Sequence, residues 1–121
     1  MISVIITAYN VEPFIAQAIR SVMVQTHNDI ECVIVEDCST DDTIAEIKRA
    51  SIGDKRVRLV QNNENMGAGA SRRRGIEAAN GDYILLLDGD DWIEPDFIET
   101  LYKCAVESGA EIVSGGIKVI H

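Results

Sequence analysis

Short apolar runs rich in Ile and Val alternate along the chain with stretches whose apolar residues recur at helical spacing. The runs are typical of strands buried on both faces of a sheet, and the spaced stretches predict amphipathic helices. The predicted strands are 2–6, 30–36, 57–60, 83–87, 111–114 and 117–120. The predicted helices are 13–25, a segment ending at Ala50 after the capping-like sequence 39–42, 70–79, and 95–108 before a stop at Gly109. Asn10 is a predicted cap of the first helix.

This alternation of strand and helix predicts an α/β fold, with a Rossmann-like, mostly parallel sheet covered by helices on both faces. In such sheets the crossovers are right-handed, and ligands bind beyond the carboxyl ends of the strands. Polar clusters follow four of the predicted strands, at 7–10, 36–39, 63–74 and 88–91. We therefore expect these four clusters to converge on one rim of the sheet.

Composition limits the chain to one acidic folded domain. It has 121 residues, 46% of them hydrophobic and 26% charged, which excludes a disordered chain. Eleven Lys and Arg against 20 Asp and Glu give a formal charge of −9. Because this charge repels polyanions, we expect neither nucleic acid nor an anionic membrane surface as a partner.

The cysteines point to a reducing compartment. Cys32, Cys38 and Cys104 form an odd set without a C-x-x-C pair, which is typical of reduced thiols. The sequence starts without a basic leader, and no apolar run approaches the ~20 residues of a membrane span. We expect a cytoplasmic protein, which would reach the inner face of the membrane through segments outside this sequence.

Asp88 and Asp90 lie at the end of the most apolar predicted strand, where two residues of separation place both side chains on one face. Gly89 between them allows a close turn. Paired carboxylates are hard-oxygen ligands of the kind that Mg²⁺ and Mn²⁺ prefer. Residues 82–99 hold seven acids and no Lys or Arg, so an anionic ligand would need a cation here. The alternative is a solvated turn before the next helix, because Asp-Gly is a common turn dipeptide.

Three further positions on the rim could hold a nucleoside. Tyr9 offers an aromatic face for stacking, and Asp37 could accept a hydrogen bond from a base. The alternatives are a half-buried aromatic side chain for Tyr9 and a helix cap for Asp37. Arg72 begins a run of three arginines, of which at most two can face the rim because they are consecutive on a helix.

Six short motifs follow one another along the chain: VIITAYN at 4–10, SVMVQT at 21–26, EDCSTD at 36–41, NMG at 65–67 followed by Arg72 and Gly75, GDYI at 81–84 and LDGDD at 87–91. In this order and spacing they resemble the family 2 glycosyltransferases of GT-A fold. The resemblance covers essentially the whole chain, and it is more specific than any one motif.

The resemblance implies a site for a nucleotide-diphospho-sugar, most often a UDP-sugar, whose sugar passes with inversion to a hydroxyl of a glycan or lipid-linked acceptor. The implied donor-binding residues are Thr7, Ala8, Tyr9, Asp37, Arg72, Asp88 and Gly89. Asp90 and Asp88 match the D-x-D metal motif, with Asp90 as the direct ligand of Mn²⁺ or Mg²⁺ and Asp88 nearer the ribose or a metal-bound water.

The sequence departs from the common family pattern at several positions. Thr7 stands where proline is frequent, and Arg73 stands where asparagine is frequent. Glu36 and Cys38 replace the usual Asp and Gly around Asp37. Cys38 lacks the freedom of glycine at positive φ, so the turn after Asp37 departs from the common family pattern.

The implied acceptor pocket and catalytic base lie in a half of the family fold that follows the D-x-D motif. We therefore assign no catalytic residue here, expect the general base beyond His121, and interpret the chain as the donor-binding half of a longer enzyme. The segment 117–120 has the pattern of a strand with an exposed edge, which predicts a homodimer through that edge.

Other functions fit the residues less well. A nucleotide-sugar binding module without turnover remains the alternative. A phosphoacceptor signalling domain would need an acidic pair after the first strand, where Thr7-Ala8-Tyr9-Asn10 stands. A dinucleotide-binding dehydrogenase would need a third glycine where Arg72 falls.

Overall fold

A mostly parallel sheet of six strands organises the computed structural model, which describes residues 1–108, 112–114 and 117–120. The strands are β1 (Ile2–Ala8), β2 (Ile30–Glu36), β3 (Val57–Gln61), β4 (Tyr83–Asp88), β5 (Ile112–Ser114) and β6 (Ile117–Ile120). The helices are α1 (Ile15–Met23), α2 (Thr43–Ser51), α3 (Ala68–Ala78) and α4 (Phe97–Ser108). The strand order is β3-β2-β1-β4-β6-β5. Among the described residues, no helix has the length and apolar character needed to cross a membrane.

Helices cover both faces of the sheet, as the α/β prediction requires. Alternate residues of β1 point to opposite faces: Val4 and Ile6 pack with the apolar sides of α1, α2 and α4, whereas Ile5 lies on the face of α3. Helix α3 approaches the sheet closely at Gly75, where an added Cβ would lie 2.3 Å from Ile5 Cγ2. Both faces of the central strands are therefore buried, which explains their continuous apolar sequences.

The predicted elements are present, with shifts at their ends. Strand β2 has the predicted bounds, and β1 continues through Thr7 and Ala8 because both residues pair with β2. Helix α1 begins at Ile15 rather than Pro13, since the amides of Phe14 and Ile15 both donate to the Val11 carbonyl. The predicted stop at Gly109 and the predicted strand start at Glu111 lie outside the described residues.

The predicted cap at Asn10 is wrong, because its side chain binds a neighbouring loop, whereas in the capping-like sequence 39–42 Asp41 Oδ1 accepts from the Thr43 amide (3.0 Å), the first of α2. Asn10, at φ 50°, accepts a hydrogen bond from the Thr40 amide (2.8 Å). The Val11 amide donates to Thr43 Oγ1 (3.0 Å), and Asp42 makes no side-chain cap bond to α2. The loops that follow β1 and β2 thus bind each other, and the loop after β2 also binds the first amide of α2 through Asp41.

The expected bare edge at 117–120 is also wrong. Strand β6 lies between β4 and β5, antiparallel to both, with Val119 opposite both Leu85 and Ile112. Because both sides of β6 are paired within the chain, its backbone groups offer no free edge to a second copy. On this side of the described sheet the edge strand is the three-residue β5, so the premise of the predicted dimer does not hold.

A buried carboxylate joins the strands at the end of the sheet away from the rim. Glu31 accepts hydrogen bonds from the Ser3 hydroxyl (2.5 Å), the Asn80 amide (2.5 Å) and Arg58 Nη2 (3.0 Å). Burial raises the pKa of Glu31, but the bonds from Ser3, Asn80 and Arg58 outweigh it and hold the pKa below its usual range. Arg58 also donates to the Ala78 carbonyl, the last of α3. One ion pair therefore ties three strands to a helix end.

We predict that Glu31→Gln lowers the free energy of unfolding by about 1–3 kcal/mol, because the new amide group faces donors that lose their acceptor. Since the folded-state pKa is depressed, the contribution of Glu31 is complete above the ordinary value of 4.5 and disappears as pH falls through the folded-state pKa. Urea unfolding across this range should show the variant and wild-type curves converging in acid. The exposed Glu64→Gln is the control, and equal stability of both variants at neutral pH would contradict the prediction.

Candidate functional site

The rim at the carboxyl ends of β1, β2 and β4 holds a cleft of about 190 Å³. The strand register creates it, because Thr7 lies opposite Asp88 and Ala8 opposite Glu36. The start of α3 forms the other wall. The lining residues are Thr7, Ala8, Tyr9, Asp37, Asn65, Gly67, Ala68 and Ser71. Three of the four predicted polar clusters therefore line this cleft, and the fourth, at 88–91, adjoins it through the hydrogen bond from the Gly89 amide to the Thr7 carbonyl.

Asp37 is a buried acceptor at the base of this cleft. Its carboxylate accepts hydrogen bonds from the Met66 amide (2.7 Å), the Gly67 amide (2.9 Å) and the Asn62 side chain (2.9 Å). Burial raises the pKa of Asp37, but these three bonds together lower it below its usual range. Asp37 is thus ionised at neutral pH and orders the loop before α3. The alternative interpretation as a cap of α2 is wrong, because residue 42 holds that position.

The turn after Asp37 forms despite the missing glycine. Glu36 is buried, and its carboxylate accepts from the amides of Ser39 (2.6 Å) and Cys38 (3.2 Å). Cys38 takes φ 60°, the left-handed region that costs a residue with a Cβ about 1–2 kcal/mol. Glu36 has a longer side chain than the usual Asp, and it holds this strained turn closed.

We predict that Cys38→Gly raises the free energy of unfolding by about 0.5–1 kcal/mol, because relief of the left-handed strain exceeds the entropy that glycine adds to the unfolded chain. Chemical denaturation measures the change. Cys38→Ala is the matched control, since it removes the exposed thiol and keeps the Cβ, and it should leave stability unchanged. A stabilisation by Ala equal to that by Gly would show that the thiol, not φ, is responsible.

The first-strand residues predicted to contact a nucleoside contribute in different ways. Tyr9 is 47% exposed, so its ring is available at the mouth of the cleft. The Ala8 carbonyl accepts from the Asp37 amide (2.9 Å), and the Thr7 carbonyl accepts from the Gly89 amide (2.8 Å). The backbone of β1 is therefore engaged in holding the site together, which leaves side chains to face a ligand.

Gly89 is buried beneath the acidic turn. A Cβ at this position would lie 2.8 Å from the Thr7 carbonyl oxygen and 3.0 Å from Val11 Cγ2. Its amide is already bound to Thr7, so Gly89 positions the turn by its lack of a side chain. Its assignment as a direct donor contact stays a prediction.

Three carboxylates meet at this turn. The structure brings one oxygen from each of Asp88, Asp90 and Asp91 within 4.8 Å of one another. The predicted turn is present, since the Asp91 amide donates to the Asp88 carbonyl (3.0 Å), and it gathers the acids rather than merely exposing them. Asp91 was not assigned from the sequence. The signal that could have found it is the turn itself, because a β-turn brings its first and fourth residues together.

The electrostatics of this acidic turn favour a cation. Burial raises the pKa of Asp91, and the neighbouring carboxylates of Asp90 and Asp88 raise it further. Three hard oxygen donors that repel one another at this separation match the ligand preference of Mg²⁺ and Mn²⁺, and two of the three carboxylates are exposed. The residues present therefore fit a divalent ion that keeps open positions for other oxygen ligands.

One cation reaches the acidic turn from α3. Arg72 Nη2 lies 3.3 Å from Asp88 Oδ1. Arg73 is exposed, and Arg74 donates to Asn62 Oδ1 (2.5 Å) instead. The prediction that at most two arginines of the run can face the rim is confirmed: Arg72 contacts the acidic turn, and Arg74 binds Asn62, which in turn binds Asp37.

A buried amide fixes the segment that follows the acidic turn. Gln25 Nε2 donates to the Glu94 carbonyl (2.6 Å), and Gln25 Oε1 accepts from the Ile98 amide (3.0 Å). The Ile93 amide donates to the Ser21 hydroxyl (3.2 Å). The end of α1 thus holds both sides of the turn into α4. Sequence reasoning assigned Gln25 no role, because its partners lie about seventy residues away.

We predict that Gln25→Leu lowers the free energy of unfolding by about 2 kcal/mol, since it leaves the buried Ile98 amide without its acceptor and removes a donor from the Glu94 carbonyl. Hydrogen exchange at the Ile98 amide should accelerate before global unfolding. Gln17→Leu is the control, because Gln17 is exposed on α1, the helix that precedes Gln25. Unchanged exchange at Ile98 in the Gln25 variant would contradict the proposed contact.

The comparison with protein families agrees with this geometry. The sequence model of glycosyl transferase family 2 matches residues 3–121. The chain belongs to this family. As a family 2 glycosyltransferase sequence, it is 41% identical over 114 residues to glycosyltransferase GlyA of Streptococcus pneumoniae, a match that covers 94% of this chain and 16% of GlyA. The chain thus spans about a sixth of the length of that relative.

Solved structures of related proteins share the fold of this family 2 chain. Staphylococcus aureus TarS 1–349 in complex with UDP-GlcNAc has a TM-score of 0.80 and 28% identity, covering 88% of this chain and 31% of TarS. Mannosyltransferase PcManGT from Pyrobaculum calidifontis, in complex with GDP-Man and Mn²⁺, has a TM-score of 0.71 and 24% identity, covering 75% of this chain and 28% of PcManGT. These likenesses support the predicted α/β sheet of GT-A type.

Proposed function

We propose that this chain binds the nucleotide-diphospho-sugar donor of a glycosyltransferase, and that the donor is a UDP-sugar. The observation that carries the proposal is that the cleft around Asp37 adjoins the acidic turn at 88–91 through Thr7, which lines the cleft and accepts a hydrogen bond from the Gly89 amide. A nucleoside and a metal-bound diphosphate need two such adjoining sites. TarS, whose related structure contains UDP-GlcNAc, supports the UDP-sugar assignment.

In this proposal the cleft holds the nucleoside. Tyr9 stacks on the base, and Asp37 accepts a hydrogen bond from a base N–H. Thr7 and Ala8 line the same cleft. Asp37 suits this role because its depressed pKa keeps the carboxylate ionised. Among the described residues, its Oδ2 accepts one hydrogen bond, from Gly67, which leaves capacity for a second.

The acidic turn holds the metal. Asp90 would be a direct ligand of Mn²⁺ or Mg²⁺, Asp91 completes the carboxylate set, and Asp88 lies nearer the ribose or a metal-bound water. When bound, the ion supplies charge neutralisation on the departing diphosphate. Gly89 lets the turn pack closely against β1, because it has no side chain, and the bonds from Gln25 hold the segment after the turn.

Transfer to the acceptor is assigned to sequence beyond His121. The chain spans 31% of TarS 1–349, and we propose that the general base and the pocket for a glycan or lipid-linked acceptor lie in the remainder of the whole protein. In that protein the transfer inverts the anomeric centre, in the cytoplasm at the inner face of the membrane, and the 121-residue chain alone is inactive.

A donor-binding module without turnover is the second candidate, because the described residues form a cleft and an acidic turn while the chain spans under half of its relatives. The two are separated by assaying sugar transfer with the downstream sequence restored. Transfer that appears only with that sequence supports the enzyme, and UDP-sugar binding that persists without any transfer supports the module.

We predict that UDP binds more tightly with Mn²⁺ present, and that Asp90→Ala removes this increment, which we expect to be about tenfold or more. Isothermal titration with UDP, in Mn²⁺ and in chelator, measures it. Asp82→Ala is the control, because Asp82 is an exposed acid at the opposite end of β4 and its loss changes net charge equally. If the Asp90 variant keeps the full manganese increment, the assigned role of Asp90 is wrong.

A further inference from the structure

Arg72 contacts a carboxylate of the acidic turn that would also attract a divalent ion. Its guanidinium contacts Asp88, one of the three carboxylates whose oxygens lie within 4.8 Å of one another. Both side chains of the pair are 41% exposed, so the contact is formed in a solvated setting and can be exchanged at small cost. The pair therefore holds Asp88 loosely.

The charges make this contact a competition. The formal charge of three carboxylates and one guanidinium is minus two, which is less attractive to a divalent cation than the acidic turn without the guanidinium. A unit positive charge about 5 Å from a divalent ion weakens its binding about fifteenfold in water without salt, and screening at about 0.1 M salt reduces this to about five- to tenfold. Arg72 also uses an oxygen of Asp88 that could otherwise face the ion.

A diphosphate would remove the competition. Guanidinium binds phosphate oxygens in a bidentate fork, and this geometry is better satisfied by a phosphate than by the single 3.3 Å contact to Asp88. Among the described residues, the Arg72 guanidinium bonds only to Asp88, whereas Arg74 is held by both Asn62 Oδ1 and the Gln61 carbonyl. Among the described residues of the arginine run, Arg72 alone contacts the acidic turn.

We propose that Arg72 is an internal counter-cation that competes with the divalent ion for Asp88, so that metal and nucleoside diphosphate bind cooperatively. This inference rests on the proposed function and specifies how its two ligands are coupled. The diphosphate draws Arg72 from Asp88, and the freed acidic turn binds the ion more tightly. By linkage the ion strengthens diphosphate binding by the same factor.

The first test measures Mn²⁺ binding by the chain without nucleotide, from the electron paramagnetic resonance signal of free Mn²⁺. Arg72→Gln should bind Mn²⁺ about five- to tenfold more tightly than wild type, because the competing charge is gone. Arg73→Gln is the matched control, since it makes the same charge change at an exposed neighbour, and it should change affinity less than twofold. Arg72→Lys keeps the charge and should stay near wild type.

The second test measures coupling, as the ratio of UDP affinities with and without Mn²⁺. Arg72→Gln should reduce this ratio by about the factor it gains in Mn²⁺ affinity, and Arg73→Gln should preserve it. Unchanged or weaker Mn²⁺ binding in Arg72→Gln overturns the competition, even if UDP affinity falls. If wild type binds no Mn²⁺ at the acidic turn, so that Asp90→Ala changes nothing, the metal site of the proposed function fails as well.

Discussion

The parallel pairing of β1 with β2 on one side and β4 on the other is the constraint on which the site depends. It places the ends of three strands side by side, with Thr7 opposite both Val35 and Asp88. Where β1 and β4 end, the Gly89 amide meets the Thr7 carbonyl at 2.8 Å, and no side chain fits between them. The cleft around Asp37 and the acidic turn are neighbours because this backbone contact joins them.

Buried polar side chains then fix the loops that leave these strand ends. Glu36 closes the turn after β2, Asp37 orders the loop before α3, and Gln25 holds the segment before α4. In the described residues every buried side-chain nitrogen and oxygen has a hydrogen-bond partner. Each of these three groups is held by main-chain partners, so the loops are shaped by a few buried contacts rather than by local turn preference.

The sequence predicted the sheet and the rim well because the central strands are buried on both faces and leave an uninterrupted apolar pattern. It failed where a side chain is satisfied over a long distance. Asn10 is a residue type that commonly caps helices, but it binds Thr40 instead, and Gln25 binds a segment about seventy residues later. The position of β6 between β4 and β5 was missed for the same reason, since pairing partners leave no local signal.

The close approach of α3 to the sheet at Gly75 has a consequence for the charge at the rim. Arg72 lies one helical turn before Gly75. The distance from its guanidinium to Asp88 therefore depends on how closely α3 packs against β1. A single methyl group at Gly75 would meet Ile5 Cγ2 at 2.3 Å and raise that height. A purely apolar change in the core would thereby lengthen the 3.3 Å contact between Arg72 and Asp88. The electrostatic potential at the acidic turn would become more negative although no charged residue had changed.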